Sequence, residues 1–206
     1  MNKKLYAILI LLTLAAHSAF AAVPSADAKR EKAMDPKMAM MMEKCMAYAT
    51  ANENHKVLNV FVGQWEHTAK MWMDPAQPPM ESNGTNTNEW LYNGKFLKQT
   101  AKGQVMGMPF EGMGITGYDN ILKKYVSFWL DTMGTGFMMA SGTYDATTKT
   151  IKETGAMPNA MTGETAQSFR AEWKLIDNDH YTYDVFIKSA DGKESPMLSL
   201  SYKRVK

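Results

Sequence analysis

The chain has 206 residues, 19 of them methionine, against a single cysteine and a formal net charge of +2. That near balance argues against a nucleic-acid binder, which carries a marked basic excess or face, and one cysteine excludes a disulfide-stapled miniature. With 45% hydrophobic and 11% aromatic residues the chain can build a core, so a disordered protein is not expected.

The first segment reads as an address. Lys3 and Lys4 form a positive start, and Leu5 to Ala16 is an almost unbroken apolar run. Ala19-Phe20-Ala21 supplies the small-x-small pattern of a cleavage site, so residues 1–21 are expected to be a cleaved signal peptide. The apolar run is short for a membrane span, and His17 and Ser18 interrupt its end. Cleavage removes two lysines and no acids, which leaves the remainder formally neutral. No later run is long enough to span, so the product is expected to be periplasmic or secreted, with no membrane span.

Residues 22–33 read as a flexible polar leader. A methionine-rich amphipathic segment, 34–53, follows, with Asp35 and Pro36 placed to start a helix that runs to about Ala51. Met34, Met38, Met41, Met42, Cys45 and Met46 fall within an arc of about 140° at helical spacing. Such a face is expected to pack. A second possibility is a soft-metal site, since thioether and thiolate donors at Met38, Met42, Cys45 and Met46 favour Cu(I). A third is an adaptable docking surface for another protein. Cys45 has no partner cysteine. A shorter helix is expected over about Asn54 to Phe61, with Gly63 ending it in a left-handed cap.

From Trp65 the period changes to two, and the barrel domain is taken as 54–206. Strands are expected near 65–73, 82–91, 95–105, 110–119, 123–131, 136–144, 149–156, 167–176, 180–188 and 196–204. Asp74-Pro75, Pro78-Pro79, Asp119-Asn120, Asp177-Asn178-Asp179 and Asp191-Gly192 mark turns, and Asn93-Gly94 reads as a two-residue hairpin. Ten of the 14 glycines lie between Gly103 and Gly163, where strands would bend. About ten antiparallel strands with one or two helices before them give a mainly β fold, a meander closed into a barrel.

Alternation sorts the side chains. Phe169, Ala171, Trp173 and Leu175 share an inward face; Trp65, His67, Ala69, Met71 and Met73 share another. Near Phe128 both faces carry large apolar groups, which suits a strand covered from outside, with the methionine helix as one candidate cover. Trp65, His67, Met71, Phe128 and Trp173 are the candidate contacts for a small, mostly apolar ligand in the barrel.

Gly63-Gln64-Trp65 resembles the Gly-x-Trp entry of lipocalins and related calycin barrels. A wider set of motifs resembles the bacterial family labelled domain of unknown function 1579, over roughly residues 34 to 204. It includes His55-Lys56, Met71-Trp72-Met73, Met106-Gly107-Met108-Pro109-Phe110-Glu111-Gly112, Ile115-Thr116-Gly117-Tyr118-Asp119-Asn120, Asp131-Thr132-Met133-Gly134-Thr135-Gly136, Gly142-Thr143-Tyr144-Asp145 and Asp177-Asn178-Asp179-His180. The resemblance implies a calycin-like barrel and brings no activity or cofactor with it.

His55, His67 and His180 do not form a helical metal-ligand pair. His180 is expected to face solvent and His55 to pack or lie at the surface. His67 shares a face with Trp65, as a hydrogen-bonded core group or as a ligand-binding or haem-coordinating group of the kind nitrobindin-like calycins use. Gly112-x-Gly114-x-x-Gly117 spells a dinucleotide pattern by letters, but in a strand context without a following helix. Asp131 and Glu153 read as isolated carboxylates. Nothing nominates a catalytic nucleophile.

Overall fold

The computed structural model describes residues 34–188 and 192–206. The signal peptide and leader of the sequence reading, 1–33, lie outside the described residues. So does the Asp191 half of the Asp191-Gly192 turn. Residues 37–206 form one compact unit, and among the described residues no helix is long and apolar enough to cross a membrane.

Two short helical elements precede ten strands: α1 (Pro36–Ala49) and α2 (Glu53–Lys56), the latter continuing as a 3₁₀ turn over Val57–Phe61. The strands are β1 (Gly63–Met71), β2 (Met80–Leu91), β3 (Phe96–Val105), β4 (Met108–Asp119) and β5 (Lys124–Asp131). They continue as β6 (Met138–Asp145), β7 (Thr150–Met157), β8 (Gln167–Leu175), β9 (His180–Lys188) and β10 (Glu194–Arg204). Each pairs antiparallel with its sequence neighbours, and β1 pairs with β10 to close the barrel. Closure satisfies both edges of every strand, so no ladder is left open to another chain. The ten expected strands are thus all present, within a few residues at each end.

The turns follow backbone chemistry. Met106 and Gly107, with φ of 52° and 76°, form the two-residue link between β3 and β4, where Val105 pairs with Met108. Two consecutive positive φ values give the twist that tight hairpins prefer. The expected two-residue turn at Asn93-Gly94 is instead a four-residue loop, Tyr92 to Lys95, between the paired Leu91 and Phe96. Tyr92, Asn93 and Gly94 all take positive φ, so the chain curls through three left-handed residues before β3 resumes. At two later turns an aspartate organises the loop. Asp119 accepts from the Ile121 and Leu122 amides, and Asp145 from those of Thr147 and Thr148.

One end of the barrel is plugged. Leu58 and Phe61 of the 3₁₀ turn join Trp65, Leu97, Tyr125, Ile151 and Tyr181 in a buried cluster. Polar contacts fix the plug: Trp65 Nε1 and Asn88 Nδ2 both donate to the Phe61 carbonyl, at 2.9 and 2.8 Å. Arg204 donates to the carbonyls of Val60 and Val62, each at 2.7 Å. Gly63 does not act as a left-handed helix cap. Its φ is 126°, and an added Cβ would meet Arg204 Nη1 at 2.7 Å, so the glycine makes room for the arginine.

The methionine helix corrects a third expectation. None of the residues of α1 is buried; Met38, Met41, Met42 and Met46 are all exposed, and so is Cys45. The helix therefore does not cover β5 with its methionine face, and packing does not account for that face. It meets the barrel at its C-terminal end. There the Asn120 amide donates to the carbonyls of Ala47, Tyr48 and Thr50 at 3.3, 2.9 and 2.8 Å, and Asn120 Oδ1 accepts from Asn52 Nδ2 at 2.6 Å.

Candidate functional site: the barrel cavity

Eight strands leave an interior that side chains just fill, and ten leave more. Here the interior beyond the plug holds a cavity of about 490 Å³, reaching from His67 and Tyr202 up to the loops between β1 and β2, β3 and β4, β5 and β6, and β7 and β8. That volume suits a small organic molecule.

The cavity exists because half of the wall is made of small residues. Inward positions of β2 to β5 carry Ser82, Gly84, Asn86, Gln99, Ala101, Gly103, Thr116 and Ser127. Gly112 and Gly114 leave the space that the Trp129 indole occupies; an added Cβ at Gly114 would meet Trp129 Cε3 at 2.8 Å. The three letters that mimic a dinucleotide loop thus serve packing in a strand: two seat Trp129 inside, and Gly117 seats Phe96. Of the clustered glycines, Gly103, Gly112, Gly114, Gly117, Gly142 and Gly155 answer to close approach, while Gly107 and Gly163 take the positive φ of turns. The opposite half of the wall is apolar, with Met71, Met138, Phe169, Trp173, Ile187 and Leu198 facing in.

Methionine lines this space heavily. Of the twelve methionines beyond α1, eight touch the cavity: Met71, Met73, Met106, Met133, Met138, Met157, Met161 and Met197. Several sit in the loops at the mouth, where a flexible, polarizable side chain adapts to irregular apolar shapes.

Four of the five sequence candidates meet here. His67, Met71, Phe128 and Trp173 line the cavity. Phe128 does so from a position out of phase with Ser127 and Trp129, which own the inward face of β5. Trp65 lies elsewhere: it is fully buried in the plug, with its ring against Tyr181 and under Arg204. The shared face of Trp65 and His67 is real, but the strand runs from plug to cavity between them.

His67 lies over Gly84, where an added Cβ would sit 2.6 Å from Nε2. Burial lowers its pKa below the ordinary 6.5, with the neighbouring Asn86 side chain working against the shift, so it is neutral at pH 7. Its Nδ1 and the Asn86 Oδ1 are buried with no hydrogen-bond partner in the protein.

Glu153, read from the sequence as an isolated carboxylate, is not isolated. It is 1% exposed, and Oε2 accepts from Trp173 Nε1 at 2.9 Å, while Oε1 has no partner. Burial raises its pKa, opposed by hydrogen bonds from Trp173 and Ser127. The signal was present in the alternation of β7, where Ile151, Glu153 and Met157 share a buried phase. Asp131 is likewise not isolated, since it accepts from Trp129 Nε1 at 2.8 Å. Of the other histidines, His180 is half exposed, as expected, and its Nδ1 lies 2.9 Å from Asp177 Oδ1. His55 is buried, and its Nδ1 accepts from the Asn52 amide in a capping box.

Among the described residues no group of three or more His, Cys, Asp or Glu is placed to hold a metal ion.

The family model for proteins of unknown function DUF1579 matches residues 50–204. The chain belongs to the DUF1579 family. The match takes in the plug and all ten strands of this DUF1579 protein, and α1 falls outside it, so the resemblance is shorter than the 34–204 expected. No curated protein matches the sequence. Among solved structures the barrel is similar to Rv2717c from M. tuberculosis, at 17% identity and a TM-score of 0.56, covering 76% of this chain and 100% of that one. It is also similar to the S-type phycobiliprotein lyase CPES from Guillardia theta, at 12% identity and a TM-score of 0.51, covering 79% and 97%. At these identities the likeness is one of fold and agrees with a calycin-like barrel.

Proposed function

We propose that this DUF1579 protein is an exported binding protein that holds a small, mostly apolar ligand inside its barrel, touched by His67, Met71, Phe128 and Trp173. The observation that carries the reading is the cavity itself. Its wall is apolar and aromatic on one side, small on the other, and punctuated by a few polar groups, the usual make-up of a small-molecule site. Export is supported by the Lys3-Lys4 start, the apolar run and the Ala19-Phe20-Ala21 cleavage pattern. Among the described lining residues His67 Nδ1 accepts from no serine or threonine hydroxyl, and binding without catalysis is the reading adopted.

Native mass spectrometry of protein recovered from the periplasm or medium of its own source tests both halves. The expected result is a chain starting at Ala22 with a bound small molecule, lost in an Ala140→Phe variant that fills the cavity. Protein retained in the cytoplasm overturns export, and a ligand kept by the filled variant overturns the barrel site.

A second reading concerns α1, because its methionine face is exposed and lies outside the family match. Met38, Met42, Cys45 and Met46 would offer soft donors to Cu(I) from adjacent turns. Cu(I) titration of the wild type against a variant with all four replaced decides it, and equal weak binding in both removes the idea.

A further inference from the structure

We propose that the cavity selects an uncharged ligand that carries a hydrogen-bond donor on an otherwise apolar, aromatic-rich body, and that it discriminates against anions. This deepens the reading of the barrel as a binding site and rests on it.

Charge is the first argument. Among the described residues lining the cavity there is no lysine or arginine. A carboxylate, sulfonate or phosphate drawn into the barrel would lose its hydration with no counter-charge to replace it, a cost that buried ions bear only when paired. The carboxylate on the lining, Asp131, would add repulsion.

Hydrogen bonding is the second. Asn86 lines the cavity and is 2% exposed, yet its Oδ1 has no partner in the protein. A buried amide oxygen left unpaired is costly, and a turn of the Asn86 side chain toward the cavity lets a ligand N–H or O–H remove that cost. His67 Nδ1, on the adjoining strand, is in the same condition. Both groups lie toward the plugged end, so the donor is expected to enter first, with the apolar body between Trp129, Phe169 and Met138.

Cations are not matched either. Asp131 is already engaged by Trp129 Nε1 and by the Met133 amide, each at 2.8 Å. Glu153 is the other inward carboxyl; it is hydrogen-bonded to Trp173, and burial favours its neutral form. Among the described lining residues, what remains unsatisfied is an amide oxygen and a neutral imidazole, both suited to an uncharged partner.

Three fluorescence titrations of the purified protein test this with probes of related skeleton. N-phenyl-1-naphthylamine is neutral with one N–H, 8-anilinonaphthalene-1-sulfonate adds an anion to the same amine, and 1-phenylnaphthalene lacks the donor. The amine is expected to bind about tenfold or more tightly than either of the others, the scale of one net hydrogen bond or one unpaired buried charge. In Asn86→Leu the advantage of the amine over 1-phenylnaphthalene is expected to fall below about twofold, while the hydrocarbon still binds. Sulfonate binding as tight as the amine overturns the discrimination and leaves the cavity reading standing. Equal binding of amine and hydrocarbon to the wild type overturns the donor requirement. If none of the three binds, the inference and the cavity reading fall together. Should Asn86→Leu fail to fold, the wild-type comparison decides alone.

Discussion

The guanidinium of Arg204 lies 4.1 Å above the ring of Trp65, and from there it donates to the Val60 and Val62 carbonyls. One side chain of the last strand thus clamps the helical plug and covers the tryptophan of the first strand. Lysine cannot reproduce a flat stack with two directed hydrogen bonds. Arg204→Lys is therefore expected to cost about 2 kcal/mol, the worth of one hydrogen bond to a charged group with its stacking. Urea denaturation followed by tryptophan fluorescence measures it, and an unchanged midpoint refutes it.

Glu153 makes stability depend on pH. Its pKa is raised on folding, so above the unfolded value near 4.5 the folded state holds a proton that the unfolded state has released. Its contribution is full below that value and is lost as pH rises toward the folded pKa, at up to about 1.4 kcal/mol per pH unit. Glu153→Gln, which cannot ionise, is expected to gain stability relative to the wild type as pH rises above 4.5. Parallel melting curves of the two proteins between pH 5 and 8 would contradict this.

His67 and His55 act in the opposite sense. Burial lowers both pKa values, so below 6.5 the unfolded chain takes up protons that the folded chain refuses. Stability is expected to fall as pH drops through and below 6.5, and His67→Phe should remove part of that fall. The check is the difference in denaturation midpoint between variant and wild type at pH 7.5 and pH 5.5.

Asn120 holds α1, which buries nothing of its own. Asn120→Ala should free the helix while leaving the barrel intact, removing interactions worth about 1 kcal/mol each. Hydrogen exchange is expected to speed up over residues 36–49 and to stay unchanged in β1 to β10. Faster exchange throughout the barrel would show that the asparagine has a wider role.

The strands were legible because each face of a strand leaves a mark at every second residue. Phe169, Ala171 and Trp173 announced the inward side of β8, and all three are buried. What alternation cannot report is position along the barrel axis. Trp65 and His67 share a phase, yet one seals the plug and the other opens onto the cavity. Glu153 was readable from its buried phase in β7 but looked solitary, because its partner Trp173 is twenty residues away and meets it only across the β7–β8 pairing. The methionine helix failed for a different reason. Helical spacing gathers side chains onto one face but does not say that anything covers it.

The barrel has a blind end. With Arg204, Phe61 and Trp65 sealing one side, any guest enters and leaves past the same methionine-lined loops. Substitutions at Met73, Met106 or Met161 would then act as changes to a doorway: they would speed or slow arrival and departure together. Residence time would shift while affinity, which the proposed site places deeper at Asn86, His67 and Trp173, would stay put. Under the proposed binding reading, a barrel built this way would tune how quickly it releases a ligand without altering which ligand it prefers.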